Sequence, residues 1–136
     1  MRDQRRRHDG GSTFESQFAY SRAVCDGRLV HVSGTTGYDY GSGAIDPDPG
    51  AQTHQCFRNI QHALAQLGSD LSRAVRVRYI IANAADVDAC TAVFPEYMSE
   101  ARPAATLLIA GLLDPAMKIE IELTALTADA READAG

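Results

Sequence analysis

The pattern of apolar and polar positions predicts five strands and two helices, in the order strand, strand, helix, strand, helix, strand, strand. The last strand shows the clearest alternation between an apolar face and a polar face. Its apolar positions are Ile119, Ile121, Leu123 and Ala125, and its polar positions are Lys118, Glu120, Glu122 and Thr124. The preceding run, residues 104–112, is apolar on both faces and ends at Asp114-Pro115. One face of the last strand must therefore be buried, and the other is either wet or covered by a partner.

The first two strands form a predicted hairpin. Residues 19–24 and 28–33 are joined at Asp26-Gly27, a strong signal for a two-residue turn between alternating strands. A loop of small and hydroxyl residues follows, with one short edge strand near Ala44-Ile45. The third strand, residues 75–82, is predicted to place Val75, Val77, Tyr79 and Ile81 on one face.

Capping signals define the predicted helices. The first begins at Asp48-Pro49, which has a capping residue followed by proline at the first helical position, and Gly68 ends it. The second is predicted over residues 86–100, with Val87, Cys90, Phe94 and Met98 on one stripe. Two helices can cover only one face of the sheet, so the pattern predicts an α+β fold whose other face needs a different cover. Subunit association is the simplest cover.

Composition sets the domain boundaries and excludes several classes of protein. The length of 136 residues fits one domain, with flexible tails expected at 1–13, which is rich in arginine and glycine, and at 128–136. With 13 basic and 18 acidic residues and no basic stripe, a nucleic-acid partner is not expected. No apolar run approaches the length of a membrane span, and a cytoplasmic location is the default expectation.

The three cysteines are far apart in the sequence. Cys25, Cys56 and Cys90 have neither disulfide nor metal-ligand spacing, so small buried thiols are expected, and no metal or other cofactor is predicted.

Two segments resemble the RidA/YjgF family of small proteins that hydrolyse reactive enamines and imines. They are Tyr20-Ser21-Arg22-Ala23-Val24 with Gly27–Thr35, and the stretch from Arg102 to Leu126; the resemblance extends over about residues 14–127. It implies a chorismate-mutase-like (YjgF-like) fold, with a mixed sheet, two helices on one face and a homotrimer built around a central barrel. It also implies that small molecules bind in clefts between neighbouring chains.

The resemblance assigns roles to four residues. Glu120 is at the position of the family's carboxylate, which holds or activates the attacking water, and a partly desolvated carboxylate can have a raised pKa. Tyr20 corresponds to the tyrosine that lines the pocket, and Gly34 and Thr35 lie where the backbone approaches the ligand. The alternatives are an exposed strand glutamate, a packing tyrosine and a plain turn.

One position departs from the family pattern. The deaminating members have an arginine that grips the substrate carboxylate where this chain has Ala105. Arg22, which shares a strand face with Tyr20, or Arg102 could substitute for it, and Thr106 could donate its hydroxyl to a ligand. The alternatives are surface cations, an interface salt bridge and simple β-propensity at Thr106.

The favoured function is therefore hydrolysis of an enamine or imine at an atypical site, with Glu120 and Tyr20 as the catalytic residues. The alternative is a non-catalytic, ligand-binding trimer, or a stability or interaction protein of the same fold.

Overall fold

Six strands form one mixed sheet in the computed structural model, which describes residues 5–128. The strands are β1 (Arg6–His8), β2 (Ala23–Asp26), β3 (Leu29–Thr36), β4 (Ala74–Ile81), β5 (Ala104–Ile109) and β6 (Ile119–Leu126). Their spatial order is β1-β2-β3-β6-β4-β5, and neighbouring strands are antiparallel except for the parallel pair β4 and β5. The helices are α1 (Thr13–Gln17), α2 (Pro49–Gln66), α3 (Val87–Thr91) and α4 (Phe94–Met98), with 3-10 turns at Leu71–Arg73 and Ala84–Asp86.

The core lies between α2, α3, α4 and one face of the sheet. The predicted alternation in β6 is confirmed, because Ile119, Ile121, Leu123 and Ala125 are buried while the residues that alternate with them are partly exposed. From α2, Phe57, Ile60 and Leu64 pack onto this apolar face. Helices therefore cover one face, and the polar side of β6 faces the other.

The predicted caps are confirmed, and the predicted hairpin is present, but its two turn residues are Gly27 and Arg28 rather than Asp26 and Gly27. The Asp48 side chain accepts a hydrogen bond from the backbone N–H of Ala51 at 2.8 Å, and Gly68 follows the helix with φ +77°. In the hairpin, Asp26 pairs with Leu29, and Gly27 adopts φ +64°, a conformation that favours glycine.

The N-terminal segment is not the flexible tail that was predicted, in the part that the structure describes. β1 extends the sheet at its edge by antiparallel pairing with β2, and Arg6 donates to the backbone oxygen of Leu67 at 3.5 Å. Because this strand is held by backbone pairing rather than by an apolar face, the arginine-rich composition did not reveal it. Residues 1–4, and 129–136 of the predicted C-terminal tail, lie outside the described range.

The predicted single helix over residues 86–100 is also wrong, since the chain forms the shorter helices α3 and α4. Pro95, in the first turn of α4, explains the interruption, because it has no N–H to bond to the preceding turn and in a continuous helix its ring would crowd the carbonyl four residues earlier. The apolar stripe is nevertheless largely buried, with Cys90 and Met98 in the core.

The register of β4 differs from the predicted one at its start. A shift between Ala74 and Arg76 in the pairing with β6 buries Ala74 and leaves Val75 43% exposed. Val77, Tyr79 and Ile81 are buried as predicted.

Strand β5 is shorter than the predicted apolar run and lies at the sheet edge. Its residues Leu107, Leu108 and Ile109 are 38%, 44% and 48% exposed. A parallel strand with two apolar faces is normally covered on both sides, so this edge has apolar surface that one chain does not bury.

The three cysteines are free and buried, as predicted. Within residues 5–128, no helix is long and apolar enough to span a membrane, and no cluster of three or more His, Cys, Asp or Glu side chains is arranged to hold a metal ion.

Candidate functional site

A cavity of about 420 Å³ opens where the C-terminal half of β3 meets the start of β6. Four of the predicted site residues line it together: Tyr20, Arg22, Gly34 and Glu120. The rest of its lining is Phe14, Phe18, Ser33, Thr36, Tyr40, Leu113, Met117 and Glu122. The cavity thus combines aromatic walls with a carboxylate floor.

The Glu120 carboxylate lies against Gly34. The pairing of β3 with β6 shifts register between Val32 and Thr35, which brings the backbone of Gly34 close to the glutamate side chain. A Cβ atom at Gly34 would lie 2.8 Å from Cδ of Glu120 and still closer to Oε2, so any other residue here would require the Glu120 carboxylate to move. Burial raises the pKa of Glu120, the charge of Glu122 raises it further, and the charge of Arg22 opposes the shift only in part.

Arg22 is buried and donates hydrogen bonds to several groups, so it is not a freely available cation. Its side chain is 3% exposed, and its Nε donates to the Glu15 carboxylate at 3.3 Å. Nη1 donates to the backbone oxygen of Gly34 at 2.6 Å and to Thr35 Oγ1 at 3.0 Å, and Nη2 donates to the Tyr20 hydroxyl at 3.0 Å. With this set of partners, Arg22 is less able to receive a ligand carboxylate than an unpaired arginine would be.

Glu15 was not among the predicted site residues. It sits at the third position of α1, where Ser12 caps the helix and the Glu15 carboxylate accepts from the backbone N–H groups of Gly10 and Ser12. The spacing of Ser12 and Glu15 is a capping-box pattern, so the sequence did contain a signal for the helix. The pairing with Arg22 has no sequence signal, because it depends on how α1 folds back onto the sheet.

Tyr20 lies at the mouth of the cavity and is 36% exposed. It follows Ala19, whose φ of +60° turns the chain between α1 and β2, so Tyr20 precedes the strand instead of belonging to it as predicted. Burial is the main factor that raises the pKa of Tyr20, so the phenol keeps its proton near neutral pH. Its oxygen accepts from Arg22, and its O–H can be donated to a ligand.

Two amides of α2 fix the loops around the cavity. Gln52 is fully buried; its Nε2 donates to the backbone oxygen of Ala116 at 2.9 Å, and its Oε1 accepts from the backbone of Lys118 at 2.9 Å. The Nδ2 of Asn59 donates to the backbone oxygens of Thr36 and Tyr38 at 3.1 and 2.8 Å. The helix therefore holds both segments that border Glu120.

The remaining predicted site residues do not line this cavity. Ala105 pairs with Val77 and Thr106 with Arg78, so these neighbours on β5 lie on opposite faces of the sheet. Ala105 is exposed, and Thr106 Oγ1 accepts from Arg76 at 2.7 Å. Arg102, in the turn before β5, is exposed.

Thr35 lies near the cavity but supports it from behind. The residue is fully buried, and its hydroxyl accepts from Arg22 and donates to the backbone oxygen of Ser33 at 2.7 Å. In this position Thr35 contacts Arg22 rather than the space that a ligand would fill.

The structure is that of a small α+β protein with a candidate ligand cavity at Glu120, and comparison with known proteins identifies its family. A family model described as Endoribonuclease L-PSP matches residues 11–127. The chain belongs to this family, the RidA/YjgF family, as the two resembling segments predicted.

Three relatives illustrate the range of the family. An uncharacterized protein from Streptomyces coelicolor is 34% identical over 125 residues, which are 88% of this chain and 90% of that protein. The 2-iminobutanoate/2-iminopropanoate deaminase of Rattus norvegicus is 29% identical over 109 residues, covering 79% of this chain and 80% of the rat protein. The crystal structure of a YjgF-family member from Mycobacterium tuberculosis is 33% identical, covers 91% of this chain and 100% of its own, and superposes with a TM-score of 0.81.

Proposed function

We propose that this protein hydrolyses reactive imines, and enamines after their conversion to imines, in the cavity that contains Glu120. The observation that carries the proposal is the half-buried Glu120 carboxylate packed against Gly34, with its pKa raised by burial. A carboxylate with a raised pKa is a stronger base than an ordinary glutamate, and a general base is what attack by water requires. The deaminase activity named for the rat relative supports the same reaction class.

The lining residues support a simple reaction sequence. Ionised Glu120 takes a proton from water as the water oxygen bonds to the iminium carbon and the C=N π electrons move to nitrogen. Glu120 then returns the proton to the amine nitrogen. The hydroxyl proton then passes to Glu120 as the carbonyl forms and the C–N bond breaks, and Glu120 transfers that proton to the departing ammonia. Iminium and water thus give a carbonyl compound and ammonium, and Glu120 is ionised again. In this sequence the Tyr20 hydroxyl, which lines the cavity, would donate a hydrogen bond to the oxygen of the tetrahedral intermediate.

We infer, as part of this proposal, that the protein is a homotrimer whose cavities lie at chain boundaries. The exposed apolar residues of β5 and Leu113, which is 69% exposed at the cavity, support association. The resemblance to the family supports the number of chains. Light scattering should therefore give three times the chain mass of 14.6 kDa.

The test is ammonia release from an imine generated in situ by an amine or amino-acid oxidase. Wild-type protein should accelerate the release, and Glu120→Gln should lower the rate by about a hundredfold or more, as expected for loss of a general base. Glu100→Gln, a matched change at an exposed position away from the cavity, should leave the rate unchanged. Ligand binding without any wild-type acceleration would instead support the alternative, a non-catalytic binding protein.

A further inference from the structure

The charges around the cavity do not favour an anionic ligand. Among the described residues that line it, Arg22 is the only cation, and its charge is matched by the buried carboxylate of Glu15. Glu120 and Glu122 add two carboxylates. The charge of Glu122 is partly offset by Arg78, whose Nε lies 3.3 Å from Oε1 of Glu122. Among residues 5–128, Glu120 has no ion-pair partner within 4 Å. A ligand carboxylate that entered the cavity would therefore lose its hydration shell next to other carboxylates, which makes its binding unfavourable.

The aromatic side chains that line the cavity favour the binding of a flat apolar group. Phe14 and Phe18 of the α1 segment stack with ring centroids 5.8 Å apart, and both line the cavity. Tyr20 and Tyr40 face it as well, and the Arg22 guanidinium lies 5.4 Å and 5.1 Å from their ring centroids. Phe18 remains 52% exposed, which is typical of an aromatic side chain that can cover a ligand.

We propose that the substrates are imines that lack an α-carboxylate and have an aromatic or similarly large apolar group, bound as iminium cations. This inference rests on the proposed function and specifies its substrate class. The iminium nitrogen would lie beside Glu120, where the two carboxylates of the floor offset its charge, and the apolar group would contact the aromatic wall. Oxidation of primary arylalkyl amines is the class of reaction that supplies such imines.

A matched pair of imines tests the substrate class. The imine of phenylacetaldehyde, formed from 2-phenylethylamine by an amine oxidase, and 2-imino-3-phenylpropanoate, formed from phenylalanine by an amino-acid oxidase, differ only in the carboxylate. We expect kcat/KM to be at least about tenfold higher for the carboxylate-free imine, a difference of about 1.4 kcal/mol. Equal or reversed kcat/KM values would overturn the inference and leave the proposed function standing.

Calorimetry with unreactive ligands separates the two proposals. 2-Phenylethylamine should bind at least about tenfold more tightly than phenylalanine, and the same preference with no turnover of either imine would defeat the proposed function alone. Failure of 2-phenylethylamine to bind, or binding no tighter than that of phenylalanine, would defeat the inference about the ligand.

Charge variants test the cause of the preference. Glu15→Gln leaves the charge of Arg22 unmatched, so it should reduce the preference for 2-phenylethylamine several-fold, and Glu96→Gln on the exposed side of α4 should not. If Glu15→Gln does not fold, Glu122→Gln serves as the second variant. It removes a carboxylate from the cavity floor, so it should also reduce the preference for 2-phenylethylamine. An unchanged preference in a folded Glu15 or Glu122 variant would overturn the electrostatic argument.

Discussion

The cavity at Glu120 and the edge strand β5 both contain predicted site residues. Within one chain, the residues at the cavity contact each other, whereas those on β5 are left on the surface. At the cavity, Tyr20, Arg22, Gly34 and Glu120 come from three separate segments and contact each other through short hydrogen bonds and close packing. On β5, Ala105 and its neighbours remain on the surface. In the proposed function, the acid–base residues Glu120 and Tyr20 therefore come from one chain, whereas Ala105, at the position of the family's anion-binding arginine, lies on β5 and outside this cavity.

The largest expected effect is on assembly. Leu108 is 44% exposed, and its partner Ile80 pairs with Glu120, so its side chain lies on the face that the helices leave open. If the proposed trimer uses this face, Leu108→Asp should convert it to a smaller species, because a charge would be buried in the interface without a partner. Ala85→Asp, an equivalent change on the exposed helix layer, should leave the mass unchanged. A trimer that tolerates Leu108→Asp would show that this face of β5 is not an interface.

The next effect concerns the missing arginine. Wild-type protein should hydrolyse 2-iminobutanoate poorly, and Ala105→Arg should raise the rate by about a hundredfold, as a bidentate carboxylate contact of a few kcal/mol would allow. The gain requires β5 of a neighbouring chain at the cavity, so it should disappear when Leu108→Asp is added. Wild-type turnover as fast as that of Ala105→Arg would show that another group already binds the carboxylate.

Gly34→Ala should lower kcat by about tenfold or more. The added methyl group would overlap the Glu120 carboxylate and move it from its position, and a displacement of about 1 Å can be costly to catalysis. Gly111→Ala is the matched control, since a Cβ atom added there would have nothing within 4 Å and the φ of Gly111 is not in the left-handed region. Full activity in Gly34→Ala would mean that the position of Glu120 is not important for turnover.

The smallest effect is a shift in the pH dependence of kcat. Glu120 must be ionised to accept a proton, so with its pKa raised above the usual 4.5 the rate should rise with pH through a correspondingly higher midpoint. Glu122→Gln removes a like charge and lowers the pKa of Glu120, so the pH at which the rate rises should move to lower pH. An acid limb that moves to higher pH would contradict this arrangement of charges.

Parts of this architecture follow from local sequence pattern, and others do not. The alternation in β6 and the Asp48 cap are properties of a few adjacent residues, so both could be predicted. Strand β1 and the displacement of Val75 could not, because backbone pairing and a register shift decide them. Glu120 and Gly34, to which the resemblance assigned site roles, line one cavity, and those roles stay predictions.

The electrostatic state of the site was less predictable. Arg22 was expected as a possible anion holder, and its contact with Glu15 depends on a turn at Ala19 that has no signal in the sequence. The position of α1, which brings Glu15 next to Arg22, thus determines the balance of charges at the cavity. The residue types alone do not determine it.

The most direct test of the account is a crystal structure of the protein with 2-phenylethylamine. We expect the ammonium group within hydrogen-bond distance of the Glu120 carboxylate, the phenyl ring against Phe18 and Tyr20, and β5 of a neighbouring chain at the edge of the cavity. A ligand bound beside Thr106 on the open face, with no contact to Glu120, would contradict it.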